Sequence, residues 1–134
     1  MYACLALVSY KPLNGNVRHV AFHLKVVRGD QVEHFIYQVV GEATNMTYGH
    51  REGTDPSTSV RYAGDVLITD TIDDEDTLSA IKKVLVDCPI DNDIVTSDCH
   101  DWCVKGLELM HDDDLIEDEG YYGASEYLLN LGRP

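Results

Sequence analysis

The chain has 134 residues, of which 44% are hydrophobic, and this composition predicts one folded domain over residues 1–134 rather than a disordered chain. Its formal net charge is -14, and residues 65–134 carry nineteen Asp and Glu but only four Lys and Arg. A surface of this sign repels nucleic acid and anionic membranes, so we expect neither as a partner. No apolar run approaches the roughly 20 residues that span a bilayer.

The cysteines are too few and too irregularly spaced for the disulfide framework of a small secreted domain. They are Cys4, Cys88, Cys99 and Cys103. The apolar start of the chain lacks the basic residues and the cleavage site of a signal peptide, so Tyr2–Tyr10 is predicted to be a strand. We therefore expect reduced thiols and a cytoplasmic location.

A hairpin is predicted next, with strands at Val17–Val27 and Asp30–Val40 on either side of Arg28-Gly29. A two-residue turn at this point matches apolar residues across one face of the sheet. Those pairs are Val20 with Tyr37 and Phe22 with Phe35. The other face pairs His19 with Gln38, Ala21 with Ile36, and His23 with His34.

The remainder of the chain is predicted to add strands and then helices. Gly41–Ser59 reads as a loop with a short strand near Met46–His50, and Ser59–Thr69 as a further strand. A helix begins in the acidic run Asp73–Asp76, which suits the positive end of a helix dipole, and Pro89 ends it. A second helix runs from Cys99 to Asp112–Asp114, and a break at Gly120–Gly123 precedes a last helix, Ala124–Leu131. We expect an α+β fold, an antiparallel sheet with packed helices.

Cys99 is the residue that points most directly to chemistry. Ser97 or Asp98 is a suitable N-cap, which places Cys99 in the first helical turn. Backbone N–H groups and the helix dipole favour a thiolate there and are expected to lower the thiol pKa. Helical spacing puts Trp102, Cys103, Gly106 and Met110 on the same face. The alternative is that Cys99 is a small buried hydrophobic residue, as many free cysteines are.

His19 and Gln38 are predicted neighbours on the polar face of the hairpin. An imidazole held by an amide can take the proton of a thiol, so His19 is a candidate base and Gln38 its orienting group. The alternative is a polar strand face open to water, because Lys25 lies on the same face.

Three short motifs carry a resemblance to a known group of proteins. They are His19-Val20-Ala21-Phe22, then Phe35-Ile36-Tyr37-Gln38-Val39-Val40-Gly41, then Asp98-Cys99-His100-Asp101-Trp102-Cys103-Val104. This order resembles the His-x-Ala-x-Phe, aromatic-x-x-Val-x-Gly and Asn-Cys-x-x-Trp-Val pattern of small uncharacterised fungal proteins. Those proteins are similar to the permuted papain-like group that includes the NlpC/P60 and lecithin:retinol acyltransferase relatives, in which the histidine strand precedes the cysteine helix.

The resemblance covers roughly residues 17–110 and implies a thiol-dependent enzyme. Cys99 would be the nucleophile, His19 the base and Gln38 the third polar residue, acting on an amide, ester or other acyl group. It also implies a fungal setting in secondary metabolism, a small-molecule or peptide substrate and no cofactor. Substrate contacts are expected from Trp102, His23 and His34.

Three positions depart from the pattern, and they keep other functions open. Asp98 replaces the usual asparagine, Gln38 the usual histidine and Val20 the usual tryptophan. The alternatives are a non-catalytic binding module on the same fold and a cofactor-free cyclase or isomerase that uses the same pocket.

A zinc site at the Cys99 helix is not expected. Cys99 and Cys103 lie one turn apart beside His100, but a structural site needs four ligands and the second pair is missing.

Overall fold

The computed structural model describes residues 1–12 and 18–131. Its elements in chain order are β1 Tyr2–Tyr10, β2 His19–Arg28, β3 Gln31–Tyr37, β4 Val39–Val40, β5 Thr47–Tyr48, β6 Arg51–Glu52, β7 Tyr62–Ile72, α1 Glu75–Asp87, α2 Cys99–Asp112 and α3 Asp118–Asn130. A single 3₁₀ turn, Pro56–Thr58, precedes β7. The predicted α+β architecture with an antiparallel sheet is confirmed. None of the helices in the described part of the chain combines the length and apolar composition needed to cross a bilayer.

Five of the strands form one antiparallel sheet in the order β6-β3-β2-β1-β7, and β4 pairs with β5 separately. The helices cover one face of this sheet. Alternate residues of β2, such as Val20, Phe22 and Leu24, are fully buried against them. The opposite face carries a smaller apolar cluster that includes Ala21 and Ile36. Successive side chains of β2 therefore point alternately to the helix-covered face and to the opposite face of the sheet.

The predicted hairpin is present, but its register is shifted by two residues. Phe22 pairs with Tyr37 and Arg28 with Gln31, so the turn residues are Gly29 and Asp30 rather than Arg28 and Gly29. Gly29 has φ +58°, a backbone conformation that glycine adopts without steric cost at the first turn position. A shift of two keeps every side chain on its predicted face. Val17, the predicted start of the first strand, lies outside the described residues.

Most predicted helix boundaries are confirmed. Asp74 caps α1 through a bond from the Thr77 N–H (2.8 Å), and α1 ends before Pro89. The strand predicted to begin at Ser59 begins at Tyr62, because the 3₁₀ turn at Pro56–Thr58 occupies the preceding residues.

The predicted break at Gly120–Gly123 is wrong, since both glycines lie inside α3. A Cβ atom at Gly120 would lie 2.1 Å from the Ile68 carbonyl oxygen. This glycine therefore permits α3 to lie directly against β7, and it does not interrupt the helix.

Candidate functional site

The first turn of α2 is built by a reciprocal capping box. The Asp98 carboxylate accepts hydrogen bonds from the backbone N–H groups of His100 (3.0 Å) and Asp101 (3.1 Å). The Asp101 carboxylate in turn accepts the Asp98 N–H at 3.0 Å. These bonds satisfy N–H groups that have no partner within the helix. Cys99 is thereby fixed as the first residue of α2, as the sequence predicts.

The Cys99 thiol lies against the backbone at the start of β2. Its sulfur is 4.0 Å from the Arg18 carbonyl oxygen, to which the S–H donates. Burial raises the pKa of the Cys99 thiol, and the charge of Asp98 adds to this, while hydrogen bonding from the backbone of Val20 opposes both. The expected lowering of this pKa is wrong, because the loss of solvent outweighs the favourable backbone groups. Cys99 is a neutral thiol near pH 7.

His19 is held by a short hydrogen bond to Gln38. The distance from His19 Nε2 to Gln38 Oε1 is 2.6 Å, and Gln38 Nε2 donates to the Gly49 carbonyl at 2.9 Å. Because the amide nitrogen is committed to Gly49, the oxygen faces the imidazole, and His19 Nε2 must carry the proton. The lone pair of the neutral ring is then on Nδ1, which is the form a base requires.

The pKa of His19 favours the same form of the ring. Burial lowers this pKa, the bond to Gln38 raises it, and the positive charge of Arg61 and the neighbouring His100 lower it further. His19 is therefore uncharged at neutral pH. The predicted pairing of His19 with Gln38 is present, although the register shift makes it a diagonal contact across the two strands.

Cys99 and His19 reach the same end of β2 from different sides. The thiol meets the backbone carbonyl that immediately precedes His19, on the side that the helices cover. The strand alternation directs the His19 side chain to the face that carries Ala21. Among the described residues, no hydrogen bond joins the thiol to the imidazole, so the structure unites His19 with Gln38 and leaves Cys99 close by but unconnected.

Two further histidines support this arrangement. His100 is fully buried, and its Nε2 lies 2.8 Å from the same Arg18 carbonyl oxygen that Cys99 contacts. His50 Nδ1 accepts the backbone N–H of Gln38 at 3.1 Å. His100 ties α2 to the strand that carries His19, and His50 helps to place Gln38.

These two roles differ in how far the sequence could have revealed them. The sequence places His100 directly after Cys99, which indicates that His100 lies near the thiol. The role of His50 depends on the pairing of β4 with β5, in which Val39 lies opposite Tyr48. No local sequence pattern predicts this pairing.

Trp102 lies near His50, with ring centroids 6.1 Å apart, but it has no hydrogen bond to Cys99, His19 or Gln38 among the described residues. It is 3% exposed, its Nε1 donates to the Cys88 carbonyl at 3.0 Å, and its ring meets Phe22 edge-on with centroids 5.8 Å apart. Trp102 also lines a cleft of about 710 Å³ whose other walls include Met46, Ile90, Asp101 and Lys105. Neither Cys99 nor His19 lines this cleft.

His23 and His34, the other predicted substrate contacts, meet each other at a third location. Their nearest ring nitrogens are 2.8 Å apart on the sheet face away from the helices. The structure therefore does not gather Trp102, His23 and His34 around one pocket.

The candidate site thus consists of the neutral Cys99 thiol at the start of α2 and the neutral His19 imidazole, in which the bond to Gln38 leaves Nδ1 as the basic nitrogen. All four cysteines are free thiols. No protein-family model, curated protein or solved structure matches the chain.

Proposed function

We propose that the protein is a thiol-dependent enzyme on a permuted papain-like plan, in which Cys99 is the nucleophile, His19 the base and Gln38 the orienting residue. The observation that carries the proposal is the 2.6 Å bond between His19 Nε2 and Gln38 Oε1, at the same end of β2 as the Cys99 thiol. An imidazole with its lone pair fixed on Nδ1 by a third residue is the arrangement that activates a neighbouring nucleophile.

The proposed reaction is acyl transfer through a thioester. His19 Nδ1 takes the Cys99 proton as the sulfur attacks the substrate carbonyl carbon. The bond from that carbon to the leaving oxygen or nitrogen then breaks, and the leaving group receives the proton from His19. Water or a second acceptor attacks the thioester, again with His19 as base, and the thiol is restored.

Substrate binding has one rearrangement to accomplish in this mechanism. The thiol and the imidazole lie at the same end of β2 but on opposite faces of the sheet and without a mutual hydrogen bond, so in the proposed mechanism substrate binding has to bring the His19 ring around the end of the strand to the thiol. The pKa directions indicate general-base attack rather than a preformed ion pair, because the thiol pKa is raised and the imidazole pKa is lowered.

Acetylation by p-nitrophenyl acetate tests the proposal. The full chain is treated with the ester, and mass spectrometry of peptides follows acetyl transfer to Cys99 and, as an internal control, to the partly exposed Cys4. We expect Cys99 to react faster, and His19→Ala to slow it by about 100-fold or more, the usual contribution of a general base. His111→Ala is the matched control, because His111 lies near the far end of the same helix, about 18 Å along its axis.

The pH dependence separates this mechanism from an unaided thiol. Because the His19 pKa lies below its ordinary value of about 6.5, the base form predominates at pH 7, and the Cys99 rate should be nearly level above that pH. A rate that continues to rise into the alkaline range, or one that His19→Ala leaves unchanged, contradicts the proposal.

That result would favour a non-catalytic binding module instead. Two observations favour the binding module: the pKa of Cys99 is raised, and no hydrogen bond joins Cys99 to His19 among the described residues.

A further inference from the structure

A second group of chemically active side chains lies on the open face of the sheet. His23 of β2 and His34 of β3 sit diagonally across the hairpin, since Lys25 is the direct partner of His34. Their rings stack with centroids 5.1 Å apart and planes inclined by 16°. His23 Nε2 and His34 Nδ1 are 2.8 Å apart, so two nitrogen donors converge on one point.

A carboxylate completes this group from a different part of the chain. Asp55 precedes the 3₁₀ turn, and one ligand atom from each of His23, His34 and Asp55 lies within 4.8 Å of the other two. Ser57 fixes the Asp55 carboxylate, because its backbone N–H (3.0 Å) and its hydroxyl (2.8 Å) both donate to Oδ1. All three residues of this histidine cluster, His23, His34 and Asp55, are partly buried.

The electrostatic surroundings favour a cation. The pKa of Asp55 is lowered first by the bonds from Ser57 and then by the nearby imidazoles, which keeps the carboxylate charged. Burial, the adjacent His34 and, least, the charge of Lys25 lower the pKa of His23, while the carboxylates of Asp55 and Asp65 raise it. Uncharged imidazoles and a charged carboxylate are the forms in which these groups bind metals.

The donor set and its spacing suit a first-row transition ion. Imidazole nitrogen and carboxylate oxygen bind Zn²⁺ at about 2.0–2.2 Å, so two nitrogens on one tetrahedral ion are roughly 3.3 Å apart. The two rings would therefore separate by about half an ångström. The proton between them would move to the outer nitrogen of its ring, leaving Nε2 of His23 and Nδ1 of His34 as ligands.

We propose that His23, His34 and Asp55 bind a divalent transition ion such as Zn²⁺, with the fourth position left to water or an exogenous ligand. The ion would join the β2–β3 hairpin to the segment before β7. Ser57 would act as the outer residue that orients the carboxylate. The site shares no residue with the proposed thiol chemistry, and Cys99 lies on the other side of the sheet.

Calorimetric titration of the full chain with ZnCl₂ tests the site. We expect one ion per chain, a large loss of affinity in Asp55→Asn and His34→Gln, and a loss on the order of tenfold in Ser57→Ala. Zn²⁺ should raise the melting temperature of the unaltered protein but not of His34→Gln. The control is His111→Gln, because His111 pairs with Asp118 at 2.7 Å but has no third ligand among the described residues. Its affinity should equal that of the unaltered chain.

Co²⁺ absorption distinguishes this site from the cysteines. We expect visible bands of a tetrahedral ion without the intense near-ultraviolet band of cobalt–thiolate bonds. A thiolate band, equal affinity in Asp55→Asn and the unaltered chain, or no heat of binding would each overturn the proposal. Should His34→Gln fail to fold, the exposed Ser57 and the partly exposed Asp55 still provide variants that decide it.

Discussion

Asp98 has two opposing effects on the residue that follows it. As the N-cap of α2 it accepts two backbone N–H groups, which stabilises the helix that carries Cys99. As a negative charge it raises the pKa of the Cys99 thiol. A single oxygen atom of the side chain makes both cap bonds, whereas the effect on the thiol pKa comes from the charge, so the two effects can be separated.

Asp98→Asn should therefore increase the reactivity of Cys99 without loss of stability. Asparagine caps a helix about as well as aspartate, and removing the charge lowers the thiol pKa. We expect faster alkylation by iodoacetamide at pH 8 and a free energy of unfolding within about 0.5 kcal/mol of the original. Asp98→Ala is the control, and it should lose about 1 kcal/mol because no side chain caps α2. Unchanged alkylation in Asp98→Asn would show that burial alone sets the pKa of Cys99.

The individual site residues differ in how well the sequence predicts them. The place of Cys99 at a helix start follows from local capping preferences of Asp98, which need no tertiary information. The contact of His19 with Gln38 follows from strand alternation. The raised pKa of Cys99 could not be foreseen, because it comes from burial by elements far along the chain.

At the scale of elements, α3 contains two glycines three residues apart, and packing requires a glycine at only one of the two positions. Gly120 lies against β7, where a Cβ atom would collide with the Ile68 carbonyl oxygen. Gly123 lies one turn later, and a Cβ atom there would meet nothing within 4 Å. Both fit a helix, but only Gly120 is required by packing.

Replacing each glycine by alanine should change stability in opposite directions. Gly120→Ala forces α3 away from β7 and should cost about 1–3 kcal/mol, as overpacking does. Gly123→Ala should instead stabilise the protein by about 0.5–1 kcal/mol, because alanine restricts the unfolded chain and favours the helix. Urea denaturation of the two variants measures both values. A loss of stability in Gly123→Ala, equal to that in Gly120→Ala, would contradict this account of α3.

The register of the hairpin could not be predicted from the sequence pattern of its two strands alone. Apolar alternation has a period of two, so it assigns faces but cannot distinguish registers that differ by two residues. The turn decides between them, and the left-handed backbone of Gly29 places Gly29 and Asp30 at its centre. The predicted pairs of His23 with His34 and of His19 with Gln38 survive as diagonals for this reason.

The whole molecule is marked by an excess of negative charge that its ion pairs do little to offset. The net charge is -14. Arg28 forms exposed ion pairs with Glu33 and Glu75. Exposed pairs contribute little, so repulsion among the remaining carboxylates dominates the long-range electrostatics.

Added salt should consequently stabilise the protein. Screening weakens the repulsion between carboxylates more than it weakens the few surface pairs, so the melting temperature at pH 7 should rise between about 10 and 150 mM NaCl. Substituting Asn for Asp112, Asp113 and Asp114 removes three charges from the C-terminal end of α2, where the helix dipole disfavours them. This variant should start from a higher melting temperature and respond less to salt. A melting temperature that falls with salt would show that attractive pairs dominate.

The position of β7 at the end of the strand order has a consequence for contacts between separate molecules. An outer strand can offer unpaired backbone groups to a second chain, and such pairing is a route to aggregation. Gly120 of α3 already lies against the Ile68 carbonyl of β7, which covers part of this edge. β7 holds Asp65 and Asp70 and neither Lys nor Arg. Antiparallel pairing of two copies about Leu67 and Ile68 would set each Asp65 opposite an Asp70, and directly opposed like charges destabilise a sheet. The outer strand thus discourages its own extension into larger assemblies.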